Sequence, residues 1–371
     1  MDLSKRRQTY QAIEEYRGRP LIVYVTSTRE GIDSQLSGDA VREFIDQIDS
    51  ITESSDVDVM IHSTGGDALA AWKLMSILRE RFDKVYVLVP YMAFSAATLF
   101  ALGADEIVMH PYASLGPIDP QILIFQPNTG LRQFAYEDVG AFLRFLADDV
   151  KISEQVHVSA IIDSLFSAVD PVNVGGAKRA SELSSSVGER LLLLHMTDPE
   201  DKPKAKKIAE NLNKSFFSHT DAVSRSRALE LDLRIAPEDK QLEKLIWNAY
   251  LEIEAYLQLR DPFSFSQEFL KHPDGADALK PIPPLQLPPN SPPEYVQNAW
   301  QGILQQAIEN LGRQAPEVEF EIVNSLIESI RIASEFRTTG KLRLVWDQNG
   351  LVDVNHVITD YGWKEMVGDT S

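Results

Sequence analysis

Two short segments carry residue types that could do chemistry together. The first, Ser63-Thr64-Gly65-Gly66-Asp67, sets two glycines between an apolar run and a helix-like stretch. Glycine lets backbone N–H groups approach a ligand closely, and a helix start adds partial positive charge. Amides arranged this way can hold the oxyanion formed when a carbonyl is attacked. The same residues also suit an ordinary tight turn in which Asp67 caps the helix. The second, Ala93-Phe94-Ser95-Ala96-Ala97, sets a hydroxyl among small neighbours directly after a β-branched run. A serine so placed either caps a helix or acts as a nucleophile beside free backbone amides.

Other chemistry is thinly represented. His62 abuts the glycine segment and is expected to line a cleft there. His110 and His195 end hydrophobic segments and are expected as core or cap residues. His157, His272 and His356 have no partner at metal-ligand spacing, so no metal site is expected. The chain has no cysteine, which excludes disulfides and a thiol nucleophile. There is no Walker loop and no strand-linked G-x-G-x-x-G, so neither a nucleotide nor another cofactor is expected.

The elements that must position these segments can be read from periodicity. Strands are expected at 21–25, 57–61, 85–89 and 106–109, each a short β-branched or apolar run. Helical spacing occupies 38–53 (Val41, Phe44, Ile45, Ile48, Ile51) and the stretch through Ala68, Ala71, Leu74 and Ile77. Strands alternating with helices argue βαβ units and a largely parallel sheet, whose active groups sit beyond the strands' carboxyl ends. Both chemical segments fall at such ends. A short exposed helix is expected at 4–18. Further helices are expected at 136–169, 176–196, 219–232 and 236–257, with a charged loop at 199–206. The proline-rich stretch 281–293 reads as extended. Beyond it, helices at 294–312 and 316–338 and a hairpin turning at Gln348-Asn349-Gly350 are expected. This divides the chain into a domain at 1–257, a linker at 258–293 and a smaller α+β domain at 294–371.

Composition bounds the partners. Of 371 residues, 44% are hydrophobic and 25% charged, as in a globular protein with a sizeable core. The net charge of −19 disfavours phosphate backbones and anionic lipid, so no nucleic acid is expected. No apolar run approaches the ~20 residues of a membrane span. The N-terminal residues show no signal-like pattern, so a cytoplasmic location is expected.

In combination the motifs resemble a known core. Gly65-Gly66 after one strand, Ser95-Ala96-Ala97 after the next, and Ala101-Leu102-Gly103-Ala104-Asp105-Glu106-Ile107-Val108 resemble Clp-fold peptidases. Ser114-Leu115-Gly116-Pro117-Ile118-Asp119 looks like the signal-peptide-peptidase branch. His62 to Asp67, Gly116 to Gln121 and the region 190–196 resemble the serine dehydrogenase proteinase family, over roughly residues 18–257. The resemblance implies a Clp/crotonase-type spiral of βαβ units, a tendency to form homo-oligomers, and serine peptidase activity on peptide or protein substrates. By position Ser95 matches the nucleophile, and Gly65, Gly66 and Ala96 match the oxyanion region.

The general base departs from the pattern. In the Clp subunit a histidine follows the fourth strand, whereas this chain has Ile118-Asp119 there. Three arrangements follow. His219, near where the Clp aspartate falls, takes the proton with Asp119 orienting it. Alternatively Lys178 serves as the base of a dyad, or Lys151, which follows Asp148-Asp149, does so. The missing histidine also leaves room for an inactive scaffold or peptide-binding module acting through the C-terminal domain, where a partner protein could dock. A crotonase-type acyl-CoA enzyme is a further alternative.

Overall fold

The computed structural model describes residues 3–126, 130–152, 154–214, 222–278, 292–294, 296–302, 304, 317–346 and 352–366. In chain order the first elements are α1 (Leu3–Arg17), β1 (Leu21–Thr26), α2 (Ala40–Asp49), β2 (Asp56–His62), α3 (Ala68–Arg81) and β3 (Lys84–Val89). Next come β4 (Met92–Ala93), α4 (Ala96–Leu102), β5 (Glu106–Met109), β6 (Ser114–Leu115), and the hairpin β7 (Gln121–Gln126) with β8 (Gly130–Ala135). Helices α5 (Tyr136–Arg144), α6 (Gln155–Ala168), α7 (Pro171–Leu192) and α8 (Asp201–Lys214) follow, with a π-helical turn at Phe145–Asp149. Then come β9 (Val223–Ser224), α9 (Arg225–Glu230), α10 (Lys240–Tyr256), α11 (Phe265–Lys271) and α12 (Pro273–Ala278). Three long strands complete the chain: β10 (Val318–Glu328), β11 (Ala333–Trp346) and β12 (Val352–Glu365).

The principal sheet has seven strands in the order β12-β11-β10-β1-β2-β3-β5. Strands β1, β2, β3 and β5 pair in parallel, for example Val23 with Met60 and Val59 with Val87. Every residue of β1 is buried, as a parallel strand covered on both faces requires. On one face α2, α3, α4 and α7 pack through Phe44, Leu74, Phe100 and Leu191 onto Tyr24, Val59 and Val87. On the other, Tyr10 and Ile13 of α1 with Ile246 and Ile253 of α10 cover Val23, Met60 and Leu88. The mixed α/β architecture with its parallel βαβ core is the one expected.

The C-terminal segment, expected as a smaller domain of its own, shares this sheet instead. β10 lies antiparallel to β1, with Val23 opposite Glu328 and Thr26 opposite Ser325. A buried ionic clamp reinforces the join. Arg6 donates to both oxygens of Glu328 (Nε to Oε2 2.9 Å), Tyr10 OH donates to Oε2 (2.8 Å), and the guanidinium lies 3.8 Å from the Tyr256 ring centroid. Helix α1 is therefore not the exposed helix expected, because Arg6, Tyr10 and Ile13 are buried in it.

Other elements also differ from expectation. The stretch 316–338, read as a helix, holds β10 and the start of β11. Val318, Phe320 and Ile322 are buried and alternate with exposed Glu319 and Glu321, which is the two-residue period of a strand. The expected charged loop at 199–206 opens α8, which buries Ala205, Ile208, Ala209 and Leu212 beneath a lysine-rich outer face. The β7–β8 hairpin has no counterpart among the expected elements. The hairpin turn at 348–350 lies outside the described residues, although β11 and β12 do pair antiparallel on either side of it.

Candidate active site

The glycine segment is a βα turn held on three sides. Gly65 (φ 111°) and Gly66 (φ 146°) take backbone conformations that L side chains rarely adopt. The Leu36 N–H donates to Gly65 O (2.7 Å) and the Asp67 N–H donates to Leu36 O (2.8 Å). The Gly65 N–H donates to Ser63 Oγ (3.0 Å). Asp67 caps α3 by accepting from the Leu69 N–H (2.8 Å), so the turn-and-cap reading of this segment is correct as far as it goes. It does not use every amide. In a trans peptide the N–H points opposite to its own carbonyl, so the bond from Leu36 to Gly65 O aims the Gly66 N–H away from Leu36. Among the described residues no acceptor is bonded to that N–H.

Ser95 sits across from this turn, between β4 and α4, with φ 50° and ψ −117°. A non-glycine residue in that region costs roughly 1–3 kcal/mol and persists only where its surroundings enforce it. Strained strand-to-helix turns of this kind are a known way to expose a nucleophile. The enforcement is visible. All seven residues of α4 are buried. The Thr98 hydroxyl donates between Ala93 O (2.7 Å) and Gly116 O (3.0 Å), while accepting from the Gly116 N–H (3.0 Å). β4 pairs with β6, setting Met92 opposite Ser114 and Ala93 opposite Leu115. Ser95 stands at the N-cap position yet its side chain makes no cap hydrogen bond, so the cap reading fails. The Ala96 N–H also has no bonded acceptor among the described residues.

The two segments touch. A Cβ added to Gly65 would stand 2.6 Å from Ser95 Cβ, 2.7 Å from Phe94 O and 3.0 Å from Ala96 N. Only glycine allows this approach. It brings together a half-buried serine, the Ala96 amide and the glycine turn with the Gly66 amide.

The proton-accepting side is less complete. Asp119 is partly buried and accepts from Gln121 Nε2 (2.9 Å). It follows Ile118, whose N–H donates to Leu212 O (3.0 Å) and whose carbonyl accepts from Ser184 Oγ (2.5 Å). Residues 114–116 run beside 92–93, so the stretch that ends at Asp119 starts next to the serine segment. β9 is antiparallel to β6, with Leu115 opposite Val223, so the N-terminal end of β9 points along β6 toward Gly116. His219 lies outside the described residues. Lys178 is exposed on α7, 3.8 Å from Glu182, and lines a cavity of 390 Å³ with Tyr136, Ser181 and Lys206. None of residues 63–67 or 93–97 lines that cavity. Lys151 is exposed.

His62, His110 and His195 are held inside the fold. His62 is fully buried rather than lining a cleft, with Nε2 3.1 Å from Thr28 Oγ1 and its ring against Tyr250. Burial pushes its pKa down to about 3, so it stays neutral. His110 is buried and stacks on Trp247 at 4.8 Å. His195 Nε2 lies 3.0 Å from Leu102 O as it closes the end of α7, and burial pushes its pKa down to about 4. Among the described residues no group of three or more His, Cys, Asp or Glu could hold a metal ion. Among them, too, no helix is long and apolar enough to cross a membrane.

Sequence reasoning missed Thr26, Leu36, Ser63 and Thr98 as residues that hold the site. Thr26 and Ser63 stand at the ends of β1 and β2, but Leu36 lies in a loop and Thr98 inside α4, so position is the signal for the first two alone.

Residues 31–141 match the family described as ClpP-like SDH-type serine proteinase. An uncharacterised protein of Methanocaldococcus jannaschii is 27% identical over 239 residues, covering 63% of this chain and 72% of that protein. A second from the same organism is 39% identical over 80 residues, covering 22% of this chain and only 28% of the relative. Among solved structures, a serine-to-alanine variant of the 1510-N membrane-bound stomatin-specific protease aligns at 16% identity. Its TM-score is 0.34, over 61% of this chain and 84% of that one. A lysine-to-alanine variant of the same protease, in complex with a substrate peptide, aligns at 16% identity and TM-score 0.34 over 60% and 78%. The stretch that holds both the glycine turn and Ser95 thus matches the model of the ClpP-like SDH-type serine proteinases, the family that the motifs resemble.

Proposed function

We propose that the chain is a serine peptidase that cleaves peptide bonds through an acyl-enzyme on Ser95. The observation that carries this reading is the strained, uncapped Ser95 packed against Gly65, with no acceptor among the described residues bonded to the N–H of the adjacent Ala96 or of Gly66. Ser95 Oγ attacks the peptide carbonyl. The oxyanion is held by the N–H groups of Gly66 and Ala96. Gly65, expected as a third donor, has its N–H engaged by Ser63, so its part is to permit the close approach. His219 accepts the Ser95 proton and returns it to the leaving amine, and Asp119 orients and stabilises the imidazolium. The direction of β9 and the course of residues 114–119 support this assignment over Lys178. The latter is exposed and already faces Glu182. Water then releases the acyl group by the same proton transfers in reverse.

The test is covalent labelling with a fluorophosphonate probe and peptide mapping. Labelling at Ser95 in wild type that is lost in Ser95→Ala and His219→Ala is expected. Labelling that survives His219→Ala transfers the base to Lys178. A folded wild type that takes no label ends the peptidase reading.

A further inference from the structure

Ser63 joins the two halves of the site. It follows the last residue of β2 and is fully buried, as is Thr26 at the end of β1. Its backbone holds the strand leading to Ser95. The Ser63 N–H donates to Met92 O (3.1 Å), and the Phe94 N–H donates to Ser63 O (3.0 Å). Its hydroxyl holds the glycine turn, accepting from the Gly65 N–H (3.0 Å) and from Thr26 Oγ1 (2.7 Å). Two acceptances fill both lone pairs of a hydroxyl oxygen. Its own proton is then directed to the Gly65 carbonyl at 3.4 Å.

This matters because the turn cannot hold itself. Gly65 and Gly66 have no side chains to lock their peptide planes, and their φ values lie where glycine is free to move. Gly65 is fixed from outside at both ends, its carbonyl by Leu36 and its N–H by Ser63. The same Ser63 brackets Ala93, two residues before the nucleophile.

We propose that Ser63 is a positioning residue that sets the separation between the Gly66 amide and Ser95, with the Thr26 hydroxyl fixing the Ser63 rotamer. The proposal rests on the peptidase reading above. Both side chains are buried, so they act through the backbone of the site and not on substrate.

Removing an oxyanion donor costs about 10²–10³-fold in kcat. Ser63→Ala leaves the donor present but untethered, so about 10- to 100-fold in kcat is expected, with KM moved less than about 2-fold. Thr26→Val, which keeps shape and removes the donor, is expected to follow in the same direction, and Thr26→Ser, which keeps the hydroxyl, to retain activity. The experiment measures kcat and KM on a peptide substrate and the rate of fluorophosphonate labelling at Ser95 in these three variants and wild type. A melting curve on each confirms that folded protein is compared. Loss in kcat and labelling rate for Ser63→Ala and Thr26→Val, with Thr26→Ser near wild type, supports the proposal. Folded Ser63→Ala that labels at the wild-type rate overturns it while leaving Ser95 as nucleophile. Thr26→Ser falling as far as Thr26→Val overturns the role of the hydroxyl. A wild type that never labels overturns the peptidase reading and this one with it.

Discussion

Under the peptidase proposal, residues 63–97 and the two side chains Asp119 and Lys178 would serve one reaction, but the two sides are built differently. In the first stretch, strain at Ser95 is met by buried hydrogen bonds through Thr98, by strand pairing with β6, and by a glycine that admits no side chain. In the second, Asp119 is only partly buried and Lys178 stands exposed beside Glu182. A rigid scaffold around the serine and amides keeps charge-stabilising groups oriented before substrate arrives, which is where most rate enhancement originates. A proton acceptor must also come within hydrogen-bond reach of the proton it takes, and of these two side chains Asp119 is the one held by a neighbour on the stretch that starts beside Ser95.

Substitutions can break or sharpen this contrast. The largest structural effect is expected from Gly65→Ala. Its Cβ would meet Ser95 Cβ at 2.6 Å and Phe94 O at 2.7 Å, at a φ of 111°. A loss of roughly 2–4 kcal/mol is expected, together with loss of Ser95 labelling, measured by urea unfolding and by probe. A Gly65→Ala protein as stable as wild type would mean the turn is not rigid. On the other side, Asp119→Asn is expected to lower kcat by about 10²–10⁴-fold with little change in the urea midpoint, the behaviour of an orienting carboxylate. Lys178→Ala should stay within about 2-fold, since an exposed pair contributes little. If Lys178→Ala loses more than Asp119→Asn, the base has been assigned to the wrong element.

A smaller effect separates the histidines from catalysis. Burial holds His62 down to about 3 and His195 down to about 4, below the ordinary 6.5. The unfolded chain therefore binds more protons than the folded one in that interval. Stability present above pH 6.5 is lost as pH falls toward 4, by about 1.4 kcal/mol per pH unit for each histidine at most. His62→Phe should remove about half of that slope in urea midpoints taken at several pH values. An unchanged slope would show that His62 is hydrated when folded. The smallest effect is a gain. Gly175 lies within α7, and a Cβ there meets nothing within 4 Å. Gly175→Ala is expected to add roughly 0.5–1 kcal/mol, the opposite sign to Gly65→Ala.

Legibility in the sequence follows the same division. The parallel strands could be read because each is a short uninterrupted apolar run, as burial on both faces demands. Gly65 and Gly66 could be read because their backbone geometry suits glycine, whereas Ser95 could be read only through the resemblance of the combined motifs. The apolar residues of 316–338 also suit a helical stripe, so β10 reads as a helix in sequence, and its pairing with β1 depends on residues some three hundred positions away. The lysines of α8 hid the stripe at Ala205, Ile208, Ala209 and Leu212. The tether through Ser63 was invisible for another reason. A serine's type says nothing about which of its neighbours its hydroxyl will meet.

The pairing of β10 with β1 has a consequence for synthesis. Arg6 and its partner Glu328 are separated by 322 residues. At ~5–20 residues per second, roughly 15–60 s pass on the ribosome between the making of one and the other. Through that interval β1 has an open edge, and Thr26, which faces Ser325 across the strand pair, has no neighbour on that side. The hydroxyl relay that tethers the glycine turn thus begins on the first strand made, whose outer neighbour β10 comes late. A nascent chain carries Ser95 long before it carries the strand that closes the edge of β1.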